Sequence, residues 1–422
     1  MTQINKIYAR QIIDSRGTPT IEVDCQLSDG SIGRAAVPSG ASTGQYEALE
    51  LRDNSSIYFG KSVLKAINNV NSIIKPALIG NTSNDIYEID QIMRELDNTE
   101  NKANLGANAM LGVSIAALKA FAQSQNMPLY QYISSYYNNA SYSMPIPMMN
   151  ILNGGSHADN NVDIQEFMIY PSGLNSFSDA IQCGCEIFYK LKEVLKAKNY
   201  NTAVGDEGGF APNLRSNQEA LDLLSDSVLK AGYNLGTDIF FTLDVAASEI
   251  FNAKDSLYYL SSENKKLTNE EIIQLYKNLC AQYPICSIED GLDENDWEGW
   301  TKLNDTLGSK IQLVGDDLTV TNIKKLNKAI DMKAINAILI KLNQIGTVSE
   351  TLDTIKLAQS LDFGVIISHR SGETEDTTIS DLSVGVSSGQ IKTGSLCRTE
   401  RVAKYNQLLR IEEELSGKIK YG

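Results

Sequence analysis

Asp244, Glu289, Asp316, Lys341, the group His369, Arg370 and Ser371, and Lys392 each stand at or just beyond the end of a short apolar run. Leading positions fall 45, 27, 25, 28 and 23 residues apart, so every interval but the first is about one strand-plus-helix unit long. The first interval requires an insertion. Three carboxylates without a converging Cys or His cluster suit a hard cation, because Mg²⁺ prefers oxygen ligands and shares its coordination sphere with water and phosphate. Any one of these acids is equally readable as a strand-end turn residue. Three in register with a lysine form a stronger pattern. Lys341 could simply pair with the acids, or its place against an apolar run could lower its pKa enough for it to act as a base.

Parallel strands would bring such residues together. The runs Ile239 to Leu243, Pro284 to Ile288, Ile311 to Val314, Ala337 to Ile340 and Gly364 to Ile367 read as strands buried on both faces. Ser216 with Glu219, Thr268 with Glu271 and Thr347 with Glu350 fit the capping box that opens a helix. Repeated βα units over this length predict a closed barrel, in which reacting groups gather where strands end. Its opening is irregular, since Pro145 to Leu152 and Asp163 to Tyr170 read as two strands with no helix between them. Ahead of it, the first 37 residues read as a β-meander turning at Asp29-Gly30. Helices are expected over 61–74, 85–96 and 107–122, the last one buried. Strands followed by helices make a small α+β domain, 1–140, before a barrel domain, 141–422.

The chain has 422 residues, 42% of them apolar, with 37 Lys plus Arg against 52 Asp plus Glu, for a net charge of −15. That balance argues against general nucleic-acid binding, which depends on Lys and Arg neutralising phosphate. No stretch has the ~20 apolar residues of a membrane helix, and no signal peptide opens the chain, so a cytoplasmic location is expected. Six scattered cysteines read as reduced thiols, and Cys183 with Cys185 lacks the further ligands a zinc site needs. Three glycine-rich segments, Pro38 to Gly44, Asn153 to His157 and Gly205 to Gly209, could supply mobile covers, although each alone reads equally as an ordinary loop.

Together these segments resemble the enolase family over essentially the whole chain. The resemblance rests on Asp14-Ser15-Arg16-Gly17, the Ser39 to Gly44 loop, Gly155-Ser156-His157-Ala158, Gln165-Glu166-Phe167 and Gly205 to Gly209. It continues through Ser287 to Asp290, Gly315 to Asn322, Lys341 to Thr347, Ser368 to Thr374 and Ile391 to Gly394. Thr18 and the stretch Phe59 to Ser62 depart from the family pattern, within the cap domain only.

The resemblance implies a ββαα(βα)6 barrel carrying an α+β cap, and interconversion of 2-phosphoglycerate with phosphoenolpyruvate. It implies two Mg²⁺ per site, one held by Asp244, Glu289 and Asp316 and the other ligated by the Ser42 loop. Lys341 would remove the C2 proton and Glu207, supported by Glu166, would help the C3 hydroxide leave. For that, Lys341 must be neutral and Glu207 protonated, the latter favoured by the nearby Glu166. His157, Gln165, His369, Arg370, Ser371 and Lys392 would surround the substrate. The resemblance also implies a homo-oligomer, a dimer or an octamer, and a secondary cell-surface or secreted pool. Two other readings stand beside this one: a dehydratase or racemase of acid sugars lacking phosphate, and a scaffold protein that keeps the fold.

Overall fold

The computed structural model describes residues 2–40, 43–137, 142–415 and 419–422. The expected domain boundary at 140 and the expected ligand Ser42 lie outside the described residues.

The opening strands Ile4–Ile13, Pro19–Leu27 and Ile32–Ala36 form the expected antiparallel meander. Its inner face, including Ile7, Val23, Cys25 and Ala35, is fully buried. Against it packs Ala107–Ser124, a helix apolar on nearly every side because it lies between this sheet and the barrel. The approach is close. A Cβ on Gly33 would sit 1.9 Å from the carbonyl oxygen of Ala116, so no larger residue fits there.

The helix expected over 61–74 instead runs through Leu64–Asn69, Val70–Ile74 and Lys75–Leu78, past Pro76. Proline lacks an N–H and its ring crowds the carbonyl four residues back, and the wider π turn at Val70–Ile74 relieves both problems.

Eight strands close the barrel in the order Ile285–Glu289, Gln312–Gly315, Ala337–Ile340, Gly364–Ser368, Gly389–Lys392, Ile146–Asn153, Glu166–Tyr170 and Phe240–Asp244. Glu166–Tyr170 runs antiparallel to both neighbours, and the others pair in parallel. Helices Phe177–Ala197 and Asn217–Lys230 follow it in succession, which gives a ββαα(βα)6 barrel. Asp163 to Gln165 stays out of the strand expected to include it. The Asp163 carboxylate is engaged by Asn217 Nδ2 and Ser262 N, each at 3.1 Å.

Side chains alternate as the pleat requires. Ala337, Leu339 and Ile366 fill the barrel interior with Met148, Met168 and Val314. Ile338, Ile340, Val365 and Ile367 point outward into a core continuous with that of the cap. Of the expected capping boxes, only Thr268 with Glu271 is reciprocal. Glu219 is drawn off by Arg215 N and Tyr200 Oη at 2.8 Å, and Glu350 by Lys102 Nζ at 2.8 Å.

Asp90 couples cap to barrel. It lies on helix Ile86–Asp97, is buried, and accepts from Ser349 N at 2.8 Å in the first turn of Val348–Ser360. Burial pushes its carboxyl up to about 6, against the lowering by Ser114 and Ser349. A folded-state pKa above the unfolded value means the folded state holds a proton that the unfolded chain releases. The associated stability is therefore full below about pH 4 and lost as pH rises through about 6, an effect on the order of 2 to 3 kcal/mol. Thermal unfolding of wild type and Asp90→Asn between pH 4 and 7 checks this. The variant's curve should be flatter by that amount, and identical slopes would contradict it.

Candidate active site

Register sets the site. Asp244 pairs with Glu289 on one side and with Glu166 on the other, while Ser368 pairs with Lys392. Because its strand runs backwards, Glu166 presents its first residue at the rim where the others present their last. One pocket is lined by His157, Gln165, Glu166, Glu207, Asp244, Asp316, Lys341, His369, Arg370, Ser371 and Lys392. Of the expected residues, Glu289 lies just beneath, bound to Lys392.

Lys392 is the electrostatic centre. Its Nζ donates to Asp244 Oδ2 at 2.8 Å and to both oxygens of Glu289 at 2.9 Å, and lies 3.1 Å from Glu166 Oε1. Burial opposes its charge, yet Asp244, Glu166 and Glu289 hold the amine well above the ordinary lysine range. Lys341 forms an ion pair with Asp316, whose other oxygen accepts from Gln344 Nε2 at 2.8 Å. Burial is the largest influence on Lys341 and lowers it, as do Arg370 and Lys392; Asp316 and then Glu289 lead the carboxylates that raise it, and the net direction is up. The sequence left Lys341 either paired with the acids or lowered by its apolar flank, and the ion pair with Asp316 is the first of these.

Glu166 and Glu207 sit with His157, their ligand atoms within 4.8 Å of one another. His157 Nδ1 is 3.5 Å from Glu207 Oε1 and 3.6 Å from Glu166 Oε1. Asn150 Nδ2 donates to Glu207 Oε2 at 2.9 Å. Two adjacent buried carboxyls resist ionising together, and their protons belong to the pair. Burial and Glu207 push Glu166 well above the carboxylate range. Against burial, the two histidines, Arg401 and Lys392 hold Glu207 well below it. These directions run against the expectation of a protonated Glu207, but the largest lowering influences on it are charged imidazoles. Burial lowers both imidazoles, leaving them neutral near pH 7.

A second acidic group was not singled out from sequence. Asp290 accepts from the backbone N–H of Asp316 and of Asp317, both at 2.9 Å, and the three carboxylates come within 4.8 Å of one another. The doublets Glu289-Asp290 and Asp316-Asp317 were the available signal. Burial raises Glu289, Asp290 and Asp317 well above the carboxylate range, and neighbouring carboxylates add to it. Glu166, Glu207, Asp244, Asp290, Asp316 and Asp317 face only three cationic side chains in the pocket, Lys341, Arg370 and Lys392. Such an excess is relieved by protons or by a divalent cation, and an oxygen-only donor set fits the second.

Arg370 is engaged by the cap. Its Nη1 and Nη2 donate to the two oxygens of Glu47 at 2.9 Å, and Nη1 donates to Asn343 Oδ1 at 2.8 Å. Gln165 Nε2 reaches Asp244 Oδ2 at 3.4 Å. The site is thus assembled from both the barrel rim and the loop that follows Gly44.

A closed barrel that gathers carboxylates around two buried lysines at its strand ends defines an α/β-barrel enzyme. Residues 4–133 match the enolase N-terminal domain and residues 141–422 the enolase C-terminal TIM barrel domain. The chain belongs to the enolase family and is a lyase of the enolase superfamily. No helix among the described residues is long and apolar enough to cross a membrane.

Proposed function

We propose that the protein interconverts 2-phospho-D-glycerate with phosphoenolpyruvate and water. The observation that carries this reading is a single pocket holding an amine, a coupled carboxyl pair and a guanidinium: Lys341, Glu166 with Glu207, and Arg370. Arg370, with Ser371, suits a phosphate by forked donation. His157, Gln165, His369 and Lys392 orient and enclose the substrate. Asp244, Glu289 and Asp316 would hold one Mg²⁺, and Ser42 would contribute to a second. Bound there, the two ions supply the positive charge that offsets the negative charge growing on the substrate carboxylate.

Lys341 Nζ takes the C2 proton, and the electron pair of that C–H bond moves toward the carboxylate. The amine must be neutral to do so. Once Asp316 is committed to a cation, the influences left on Lys341 are dominated by burial, Arg370 and Lys392, all of which lower it. The pair then returns to form the C2–C3 double bond as the C3–O bond breaks. A proton from the Glu166 and Glu207 pair leaves with the hydroxide as water. The pair shares one proton, so Glu207 can deliver it when Glu166 supplies it.

This reading carries with it a cytoplasmic homodimer, with a division into cap and barrel near residue 140. Ultraviolet absorbance of phosphoenolpyruvate should rise when 2-phosphoglycerate and Mg²⁺ are added to the pure protein, and a chelator should abolish the signal. An inactive, folded protein with ample Mg²⁺ would leave the scaffold reading in front.

A further inference from the structure

Arg401, on helix Thr399–Glu414, is completely buried. Its Nη1 donates to Arg370 O at 2.6 Å and lies 2.5 Å from His369 Nδ1. Nη2 donates to Ser371 O at 2.7 Å and to Asp206 O at 3.2 Å. One guanidinium therefore ties the His369 loop to the segment that carries Glu207. The fit leaves no slack, since a Cβ on Gly394 would lie 2.8 Å from Arg401 Cδ and 2.9 Å from Glu207 O.

A guanidinium has five donors, no acceptor, and never loses its charge in a protein. The ring nitrogen facing it must accept, so Nδ1 of His369 carries no hydrogen. In a neutral imidazole the hydrogen then belongs to Nε2. That atom is buried, 3.2 Å from Glu207 Oε1, and makes no aligned hydrogen bond among the described residues, while its ring lines the pocket. We propose that Arg401 is a positioning residue that locks His369 in the Nε2–H form and aims that N–H, as a permanent donor, at the space beside Glu207 where the C3 hydroxyl departs. The assignment of that space rests on the reading of function above; the lock itself does not. His369 then steadies the leaving oxygen by hydrogen bonding. It cannot act as a base, because its lone pair is spent on Arg401. The charged groups acting on the ring agree with a neutral form: burial, Arg401, Lys392 and Lys341 oppose protonation, and Glu207 alone among the larger influences favours it.

The chain has only two histidines, so ¹⁵N spectra of the full-length protein labelled at the imidazole nitrogens, compared with His157→Gln, assign His369 directly. The expected spectrum is a neutral ring with Nε2 protonated and Nδ1 shifted as an acceptor, unchanged from pH 6 to 8.5. A ring protonated at Nδ1, or an imidazolium at pH 7, would overturn the proposal. Arg401→Met should mix the tautomers, whereas Arg401→Lys, which keeps a charged donor, should hold the Nε2–H form. A folded Arg401→Met with the wild-type ring spectrum would also overturn it. Should that variant not fold, the wild-type and lysine spectra decide the question. For the donor role, His369→Gln places an amide N–H near Nε2 and His369→Asn near Nδ1. The asparagine variant should lose on the order of 10²- to 10³-fold in kcat, and the glutamine variant far less, with KM little changed in either. Equal losses would remove the donor role. A locked Nε2–H ring in a protein that does not dehydrate 2-phosphoglycerate would keep the lock and discard the proposed function.

Discussion

Replacing Lys341 by alanine is expected to abolish both phosphoenolpyruvate formation and exchange of the substrate's C2 hydrogen with solvent, with kcat falling on the order of 10⁴-fold. No second amine can take over. Lys392 is the other lysine in the pocket, and its Nζ is occupied by Asp244, Glu289 and Glu166 within 3.1 Å. Alanine also leaves Asp316 without its ion-pair partner, so the variant's fold should be checked by thermal unfolding before its rate is interpreted. Exchange at C2 retained in a folded Lys341→Ala protein would remove Lys341 from the role of base.

The direction of the Lys341 shift marks a limit of reading chemistry from sequence. Flanking apolar residues, Ala337 to Ile340, announce burial, and burial does lower the amine. The leading partner that opposes it, Asp316, stands 25 residues away, and only the register of neighbouring strands brings it close. Spacing predicted that the two would share a rim. It could not predict which of the rim's carboxylates the amine would touch.

Other features divided along the same line. Strand ends, the buried helix Ala107–Ser124 and the helix-free opening of the barrel were legible because burial imposes a period on local sequence. Glu47 was not, since its contact with Arg370 spans 323 residues and no local pattern marks it. Arg401 sits on a helix with a weak amphipathic pattern and looks from sequence like an ordinary charged residue. Burial by loops from two parts of the chain, one around His369 and Ser371 and one around Asp206, gives it its partners. Glu166 and Glu207 were assigned through family resemblance alone. Which of them holds the proton follows from surroundings that no motif records, among them the cations Arg401 and Lys392 on the Glu207 side.

That asymmetry sharpens the second large effect. Glu207→Gln should still exchange the C2 hydrogen, because Lys341 and its carboxylate neighbours are untouched, while elimination falls by roughly 10²- to 10⁴-fold. Glutamine preserves the shape and can accept from Asn150 Nδ2, so the loss would report the missing acid and not a collapsed pocket. Isotope loss from C2-labelled 2-phosphoglycerate, followed beside phosphoenolpyruvate absorbance, separates the two steps. Glu166→Gln provides the control for where the proton resides. If Glu207 is ionised at rest and draws its proton from Glu166, that variant should also exchange normally and eliminate poorly. If Glu207 carries its own proton, Glu166→Gln should eliminate at close to the wild-type rate. A Glu207→Gln protein that lost exchange and kept dehydration would mean acid and base had been assigned to the wrong sides of the pocket.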